Sequence, residues 1–195
     1  MVFDVGNVLL AWDPVALVQR WTPAARRQDF LNGIFWHRNW HELDRGDLDE
    51  PTANRLFAER LAHPIEEIQE LILAAKVSLV PIAGGVALLD ELHQRGIQLY
   101  CLTNMASGTW EFVRRRFAFW ERFLGIVVSA HVRMVKPELG IYRHLLEQFA
   151  LDPAATAFLD DKPDNVAGAR AAGIDGVLFE SSGQARQQLL ARCAP

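Results

Sequence analysis

The chain from residue 86 onward constrains the fold most strongly, because short apolar runs alternate there with segments of helical spacing. Residues 97–102, 126–129, 157–159 and 177–179 have the pattern of strands, and helical segments ended by glycine or proline separate them. Strands that are connected through helices form parallel sheets with helices on both faces. Together with the apolar run that begins at Val2, this pattern predicts a doubly wound α/β fold with five strands.

A helical block interrupts the alternation after the first strand. Asp13 and Pro14 suit the N-cap and the first residue of a helix, and apolar residues recur at helical spacing over 65–75. No strand pattern occurs before the stretch 81–85, which is rich in proline and glycine. We therefore expect two regions, a helical insertion and a sheet domain in two parts: 13–80, and 1–12 with 81–195.

Composition excludes several classes of protein. Half of the 195 residues are hydrophobic, so the chain can bury a core. The net charge of −4 lacks the basic excess of nucleic-acid-binding proteins, and no apolar stretch reaches the roughly 18 residues that span a membrane. Cys101 and Cys193 lack metal-type spacing, which predicts free thiols in a reducing compartment. We expect a cytoplasmic protein, a monomer or homodimer, that acts on a small molecule and binds neither nucleic acid nor membrane.

Polar side chains follow four of the predicted strands at the point where each strand ends. These side chains are Asp4, Thr103, Asn104, Lys136, Asp160 and Asp161. Because the carboxyl ends of parallel strands meet at one edge of a sheet, we expect the six residues to lie close together.

The predicted cluster suits a divalent cation and a phosphate group. Carboxylates that share one edge repel each other unless a cation lies among them, and hard oxygen ligands select Mg²⁺. With Mg²⁺ and Lys136 present, the charges of the three carboxylates are balanced. The Thr103 hydroxyl and the Asn104 backbone N–H, at the start of a helix, could then donate to a phosphate dianion. A carboxylate at this edge could attack phosphorus and form an aspartyl-phosphate that water hydrolyses.

These residues, in this order, resemble the haloacid dehalogenase superfamily. The resemblance lies in four stretches at appropriate separations, Phe-Asp-Val-Gly-Asn-Val at 3–8, Leu-Thr-Asn at 102–104, Val-Lys-Pro at 135–137 and Phe-Leu-Asp-Asp at 158–161. It implies a five-stranded parallel, Rossmann-like core, and it identifies the helical block with the cap domain of that family.

The resemblance also implies roles for individual residues. Asp4 would be the nucleophile, and Asp4, Asp161 and the backbone oxygen of Gly6 would bind Mg²⁺. Asp160 would either bind the metal directly or only orient it. The residues that would hold the phosphoryl group are Thr103, Asn104 and Lys136, and Lys136 would join Asp4 as a catalytic residue.

The sequence departs from the family pattern at two positions. Gly6 stands where phosphatases of the superfamily usually carry a second Asp as general acid and base, a role worth about 10²–10⁴ in rate. Asn165 stands where an Asp is common, with Asp164 one place earlier. The Asp-x-Gly-Asn start is similar to a subgroup that includes a bacterial α-D-glucose-1-phosphate phosphatase. Because an anomeric oxygen leaves as a relatively acidic hemiacetal, a sugar phosphate is the favoured substrate.

Other candidate residues have simpler structural interpretations. His41 lies in a stretch similar to that subgroup's cap and could bind substrate as a proton donor, although a surface histidine is the plainer interpretation. Trp36 and Trp40 are four residues apart and are expected on one helix, packed in the core of the block. The run 114–116 of three arginines is expected to be a solvated face, and 45–47 a turn.

The sequence favours a Mg²⁺-dependent phosphatase acting on a small phosphorylated metabolite. One alternative is a metal-independent 2-haloacid dehalogenase, which uses the same nucleophile on carbon but has no need of the acidic pair Asp160–Asp161. Another is a catalytically idle protein that binds phosphate. The presence of Asp4, Lys136 and Asp161 together argues against the idle protein.

Overall fold

Five parallel strands form one sheet in the order β3-β2-β1-β4-β5 in the computed structural model, which describes residues 1–192. The strands are β1 Val2–Phe3, β2 Tyr100–Thr103, β3 Gly125–Val128, β4 Ala157–Asp160 and β5 Asp175–Leu178. Phe3 of β1 pairs with Cys101 of β2 on one side and Leu159 of β4 on the other. Asp4 therefore leaves the centre of the sheet beside the ends of both neighbouring strands. The predicted doubly wound α/β fold is confirmed.

Helices cover both faces of the sheet. Those that follow the helical block are α6 Ala83–Gln94, α7 Ser107–Arg114, α8 Ser129–Val132, α9 Leu139–Gln148, α10 Pro163–Ala171 and α11 Ser182–Arg192. Alternate residues of β1 point to opposite faces, so Phe3 belongs to the apolar cluster under α6 and α11, while Val2 belongs to the cluster under α9 and α10.

The helical block contains α1 Pro14–Trp21, α2 Arg27–Phe30, α3 Arg38–Arg45, α4 Glu50–Leu61 and α5 Ile65–Ser78, with a π-helical turn at Leu31–Phe35. Its buried apolar side chains form a separate cluster that includes Phe30, Phe57 and Leu71. The two connections to the sheet region run side by side. Ala11 donates a backbone hydrogen bond to Val80, and Ile82 donates one to Leu9, at 2.9 and 2.8 Å.

The helix start predicted at Asp13 agrees with the structure, and a second side-chain cap begins α4. The Asp13 side chain accepts a hydrogen bond from the Ala16 backbone at the start of α1, and Asp49 accepts one from Thr52 at the start of α4. After Arg45 the chain turns at Gly46, whose φ of 86° lies in the left-handed region that favours glycine. Residues 45–47 are therefore the predicted turn.

Four strands differ in extent from their prediction; the fourth, predicted over 157–159, extends one residue further, to Asp160. The run 97–102 was predicted as strand from its start, but the Ile97 N–H bonds to the Leu92 carbonyl and completes the end of α6, so β2 begins at Tyr100. The third strand begins and ends one residue earlier than predicted, because Ser129 already belongs to α8. The fifth ends at Leu178 and begins two residues before Val177.

The structure describes one of the two cysteines. Cys101 is a buried free thiol in β2, whereas Cys193 lies outside the described residues. Within residues 1–192, no helix is both long enough and apolar enough to cross a membrane.

Candidate active site

The polar residues that follow the strands converge on one cavity of about 770 Å³ between the sheet edge and the helical block. The sheet edge contributes Asp4, Thr103, Asn104, Lys136 and Asp161 to its wall. Asp4 follows β1, Thr103 ends β2, and Asp160 and Asp161 lie at the end of β4. The structure thus brings together residues that are up to 157 positions apart in sequence.

Lys136 joins two of the carboxylates. Its ammonium group lies 2.6 Å from Asp4 Oδ1 and 2.6 Å from Asp160 Oδ2, and it donates a third hydrogen bond to the Leu102 carbonyl at 3.0 Å. The Lys136 side chain is 1% exposed. Burial lowers the pKa of Lys136, but the nearby charges of Asp4 and Asp160 outweigh burial and raise it. The ammonium group therefore stays charged, and it fixes the direction of the Asp4 carboxylate.

Burial has the largest effect on the pKa of Asp4. It raises the pKa of Asp4 to about 7, although Lys136 opposes it, and the charge of Asp160 adds to the increase. A divalent cation beside Asp4 would lower this pKa, because an adjacent positive charge favours the ionised form.

Asp160 is completely buried and its carboxylate is fully engaged. Oδ1 accepts from the Lys162 backbone N–H at 2.8 Å, Oδ2 accepts from Lys136, and the Asn165 amide donates to both oxygens at 3.0 Å. Asn165, which replaces the more common Asp, thus holds Asp160 in place. These contacts leave Asp160 little capacity to bind a metal directly.

The Asp161 carboxylate faces the cavity and is the more accessible of the acidic pair. Burial raises the pKa of Asp161, while a hydrogen bond from the Asn7 amide at 3.2 Å lowers it. Asn7 has a φ of 54°, and its side-chain oxygen accepts from the Trp12 backbone N–H at 3.0 Å. The Asn7 side chain therefore links Asp161 to Trp12, which lies in the connection from β1 to the helical block. One carboxylate oxygen from each of Asp4, Asp160 and Asp161 lies within 4.8 Å of the other two, so the three side chains form one acidic cluster in which Asp4 and Asp161 have oxygens available to a cation.

Thr103 and Asn104 contribute in different ways. Thr103 is 1% exposed and lines the cavity. The Asn104 side chain accepts from the Lys136 backbone N–H at 2.8 Å and donates to the Lys136 carbonyl at 2.9 Å. Asn104 therefore positions the backbone of Lys136. The prediction that the Asn104 N–H opens a helix is wrong, because α7 begins three residues later, at Ser107.

Gly6 leaves open space at the sheet edge. A side chain built on Gly6 would meet no atom within 4 Å of its Cβ. The glycine is therefore not required by close packing, and the position usually held by an acid–base Asp has room for one.

The helical block and Trp12, which immediately precedes it, form the opposite wall with aromatic side chains. Trp12 stacks on Trp40 at a centroid distance of 5.7 Å, and Phe35 packs edgewise against Trp12 and at a tilt against Trp40. The prediction that the two tryptophans share one helix is wrong, because Trp36 lies in the turn after the π-helical segment and Trp40 lies in α3. The prediction of a core position is wrong for Trp36, which is 52% exposed. Both tryptophans line the cavity.

His41 and Asp44 also reach the cavity from α3. His41 is exposed there, so the structure places it as predicted but does not assign it a partner. Asp44 was not recognised as a candidate in the sequence. Burial raises the pKa of Asp44 to about 7, and a carboxyl group with such a pKa near a cavity is a common feature of functional sites.

The predicted arginine face lies away from this cavity. Arg114 and Arg115 pair with Glu111 on α7, and Arg116 donates to the Val77 carbonyl. All three arginines are exposed, as predicted.

Residues 1–173 match the haloacid dehalogenase-like hydrolase family, and the chain belongs to that family. The sesquiterpene phosphatase astK of Aspergillus oryzae is 31% identical over 93% of this chain and 89% of its own length. The drimenol cyclase drtB of Aspergillus calidoustus is 29% identical over 97% of this chain, which spans only 35% of that protein.

The fold is shared with solved structures of the family. A haloacid dehalogenase family enzyme of Bacteroides thetaiotaomicron, solved with magnesium and inorganic phosphate, superposes with a TM-score of 0.72 over 91% of each chain at 23% identity. The predicted superfamily and the prediction of a hydrolase are therefore confirmed, and the phosphatase relative agrees with the narrower prediction of a phosphoric monoester hydrolase.

Proposed function

We propose that the protein is a Mg²⁺-dependent phosphatase that transfers the phosphoryl group of a small ester to Asp4 and then to water. The observation that supports this most strongly is the clustering of Asp4, Lys136 and Asp161 in the wall of one cavity, with the buried Asp160 in contact with Lys136. The acidic pair is also the feature that a metal-independent dehalogenase would not need.

The donor set fits Mg²⁺. Asp4, Asp161 and the Gly6 backbone oxygen would hold the ion, since these are hard oxygen ligands at one sheet edge. Asp160, whose oxygens are already engaged, would act indirectly by fixing Lys136 and the chain at Lys162. Bound Mg²⁺ would neutralise charge on the phosphoryl oxygens.

Asp4 would carry out the chemistry. Its carboxylate, held by Lys136 at 2.6 Å, attacks phosphorus, and the bond from phosphorus to the ester oxygen breaks. Water then attacks the phosphorus of the aspartyl-phosphate and releases phosphate. Lys136 and the Thr103 hydroxyl would hold the phosphoryl group during both steps, and Asn104 would keep the Lys136 backbone in place.

The helical block would act as a cap over this site. We propose the division predicted from the sequence, a core made of 1–12 and 81–195 and a cap made of 13–80. The paired connections at Ala11–Val80 and Leu9–Ile82 would serve as the hinge. Closure would exclude water and place the aromatic wall against the leaving group.

The cavity lining bears on the substrate. Trp12, Phe35, Trp36 and Trp40 offer stacking and apolar contact, and the charges of two other wall residues, Glu50 and Lys76, are paired at 2.6 Å. We infer that the alcohol portion of the substrate is largely apolar, as the sesquiterpene phosphatase relative also suggests. The sugar phosphate favoured by the Asp-x-Gly-Asn start remains the second candidate.

A substrate panel tests both proposals. Purified protein would be assayed with and without Mg²⁺ on sesquiterpenyl monophosphate, glucose 1-phosphate and simple alkyl phosphates. We expect Mg²⁺-dependent release of phosphate, with the highest kcat/KM on the terpenoid ester. No hydrolysis of any ester would overturn the phosphatase, whereas a preference for glucose 1-phosphate would overturn only the apolar substrate.

A further inference from the structure

Gly6 leaves the sheet edge without the residue that usually exchanges a proton with the leaving alcohol. Of the cavity residues contributed by α3, two can carry a proton, His41 and Asp44. We propose that Asp44 protonates the leaving group and later accepts the proton of the attacking water. This inference rests on the proposed phosphatase activity.

The backbone of Asp44 is fixed to the sheet region. Its carbonyl accepts a hydrogen bond from the hydroxyl of Ser129, the first residue of α8 after β3. The next residue but one, Gly46, lies so close to Ala130 that an added Cβ would stand 2.3 Å from the Ala130 carbonyl oxygen. Asp44 therefore belongs to the helical block but is held at the place where the block meets the sheet region.

The side chain of Asp44 extends across the same boundary. Part of the residue surface is exposed, but the carboxyl group is surrounded by protein atoms. Trp40 and the Ala106 backbone donate hydrogen bonds to it, and Lys162 is the nearby positive charge. The hydrogen bonds and the charge of Lys162 lower the pKa of Asp44, but burial has a larger effect and raises this pKa to about 7. A general acid works best with a pKa near the working pH, so this environment suits one.

Asp44 is better placed than His41 for this role. The two residues are three positions apart and so lie on one face of α3. His41 is exposed, however, whereas the Asp44 carboxyl group is enclosed between the block and the sheet region. An enclosed acid delivers its proton to the leaving oxygen with less competition from water.

Asp44 would exchange one proton in each of the two steps. In the first, Asp4 attacks phosphorus, the phosphorus–oxygen bond of the ester breaks with its electron pair on the leaving oxygen, and that oxygen takes the proton of Asp44. In the second, water attacks phosphorus while the Asp44 carboxylate takes a proton from it. The bond to Asp4 then breaks, and Asp44 is protonated again.

The test compares leaving groups in the first step. Phosphoenzyme formation would be measured by rapid quench for the wild type, Asp44→Asn and His41→Ala, with an alkyl phosphate and with p-nitrophenyl phosphate. Asn keeps the shape of Asp44 and an oxygen that accepts hydrogen bonds, but it is not an acid. We expect Asp44→Asn to slow phosphoenzyme formation from the alkyl ester by about 10²–10⁴. The rate from the aryl ester, whose leaving group needs little protonation, should stay within about 3-fold of the wild type.

A matched control distinguishes local chemistry from loss of charge. Asp47→Asn removes an exposed carboxylate two residues after the turn begins, outside the cavity, and should leave both rates unchanged. Equal losses on both esters in Asp44→Asn would overturn the proposal, because they would mean that Asp44 only positions the helical block. A leaving-group effect in His41→Ala but not in Asp44→Asn would also overturn it and assign the proton to His41. Wild-type protein without activity on either ester would instead refute the phosphatase itself.

Discussion

Replacing Lys136 by Met should strongly destabilise the protein, because it removes the ammonium group that two buried carboxylates share. The side chains of Asp4 and Asp160 are 8% and 0% exposed, and each lies 2.6 Å from the Lys136 nitrogen. Loss of one partner of a buried ion pair costs about 3–5 kcal/mol, since the remaining charge is left without compensation. For a protein of this size, that corresponds to a decrease in Tm of about 6–20 °C.

Urea unfolding in the absence of Mg²⁺ measures this loss. The control is Arg143→Met, which removes an exposed positive charge on α9 outside the cavity, and it should change the free energy of unfolding by less than about 0.5 kcal/mol. Adding Asp4→Asn to Lys136→Met should recover part of the stability, because it removes one uncompensated carboxylate. A loss below about 1 kcal/mol in Lys136→Met, or a further loss in the double variant, would refute the argument.

Three further predictions concern the site. Asp161→Ala should weaken the dependence of activity on Mg²⁺ together with activity itself; an unchanged Mg²⁺ titration would transfer the metal-binding role to Asp160. Gly6→Asp has space for its side chain and, introduced into Asp44→Asn, should restore turnover of alkyl phosphates, which a steady-state assay would show; no recovery would mean that an acid at residue 6 cannot reach the leaving oxygen. The pKa of Asp44 is about 7, above its ordinary value of about 4. The stability that the protonated group contributes is therefore complete below about pH 4, is lost progressively as the pH rises from about 4 to about 7, and changes no further above that. Asp44→Asn should thus gain stability relative to the wild type between about pH 4 and pH 7 in urea unfolding, and a constant difference would contradict the raised pKa.

The sequence was sufficient to predict the fold and which residues at the ends of the strands meet at the cavity. The alternation of strands and helices after residue 86 determines a parallel sheet, and a parallel sheet brings Asp4, Thr103 and Asp161 to one edge regardless of the details of packing. The helix cap at Asp13 was also predictable, because it depends on a few adjacent residues.

The rest of the site depends on contacts between distant segments. Nothing near Asp44 in the sequence indicates that its carboxyl group meets Ala106 and Lys162, since that requires α3 to dock against the sheet region. The helical spacing of Trp36 and Trp40 predicted one helix, but the π-helical turn ends at Phe35 and α3 begins only at Arg38, so Trp36 precedes the helix that contains Trp40. The engagement of Asp160 by Asn165 likewise appears only when α10 has packed beside β4.

The most direct test of the phosphatase proposal is whether Asp4 becomes phosphorylated. The protein would be mixed with Mg²⁺ and an ester labelled in its phosphoryl group, quenched in acid within the first turnover, and analysed by peptide mass spectrometry. We predict label on Asp4 in the wild type, and neither label nor turnover in Asp4→Asn, which keeps the shape of the side chain but removes the nucleophile. Label on another residue, or an Asp4→Asn variant that retains more than about a hundredth of wild-type activity, would contradict the role of Asp4 as the nucleophile.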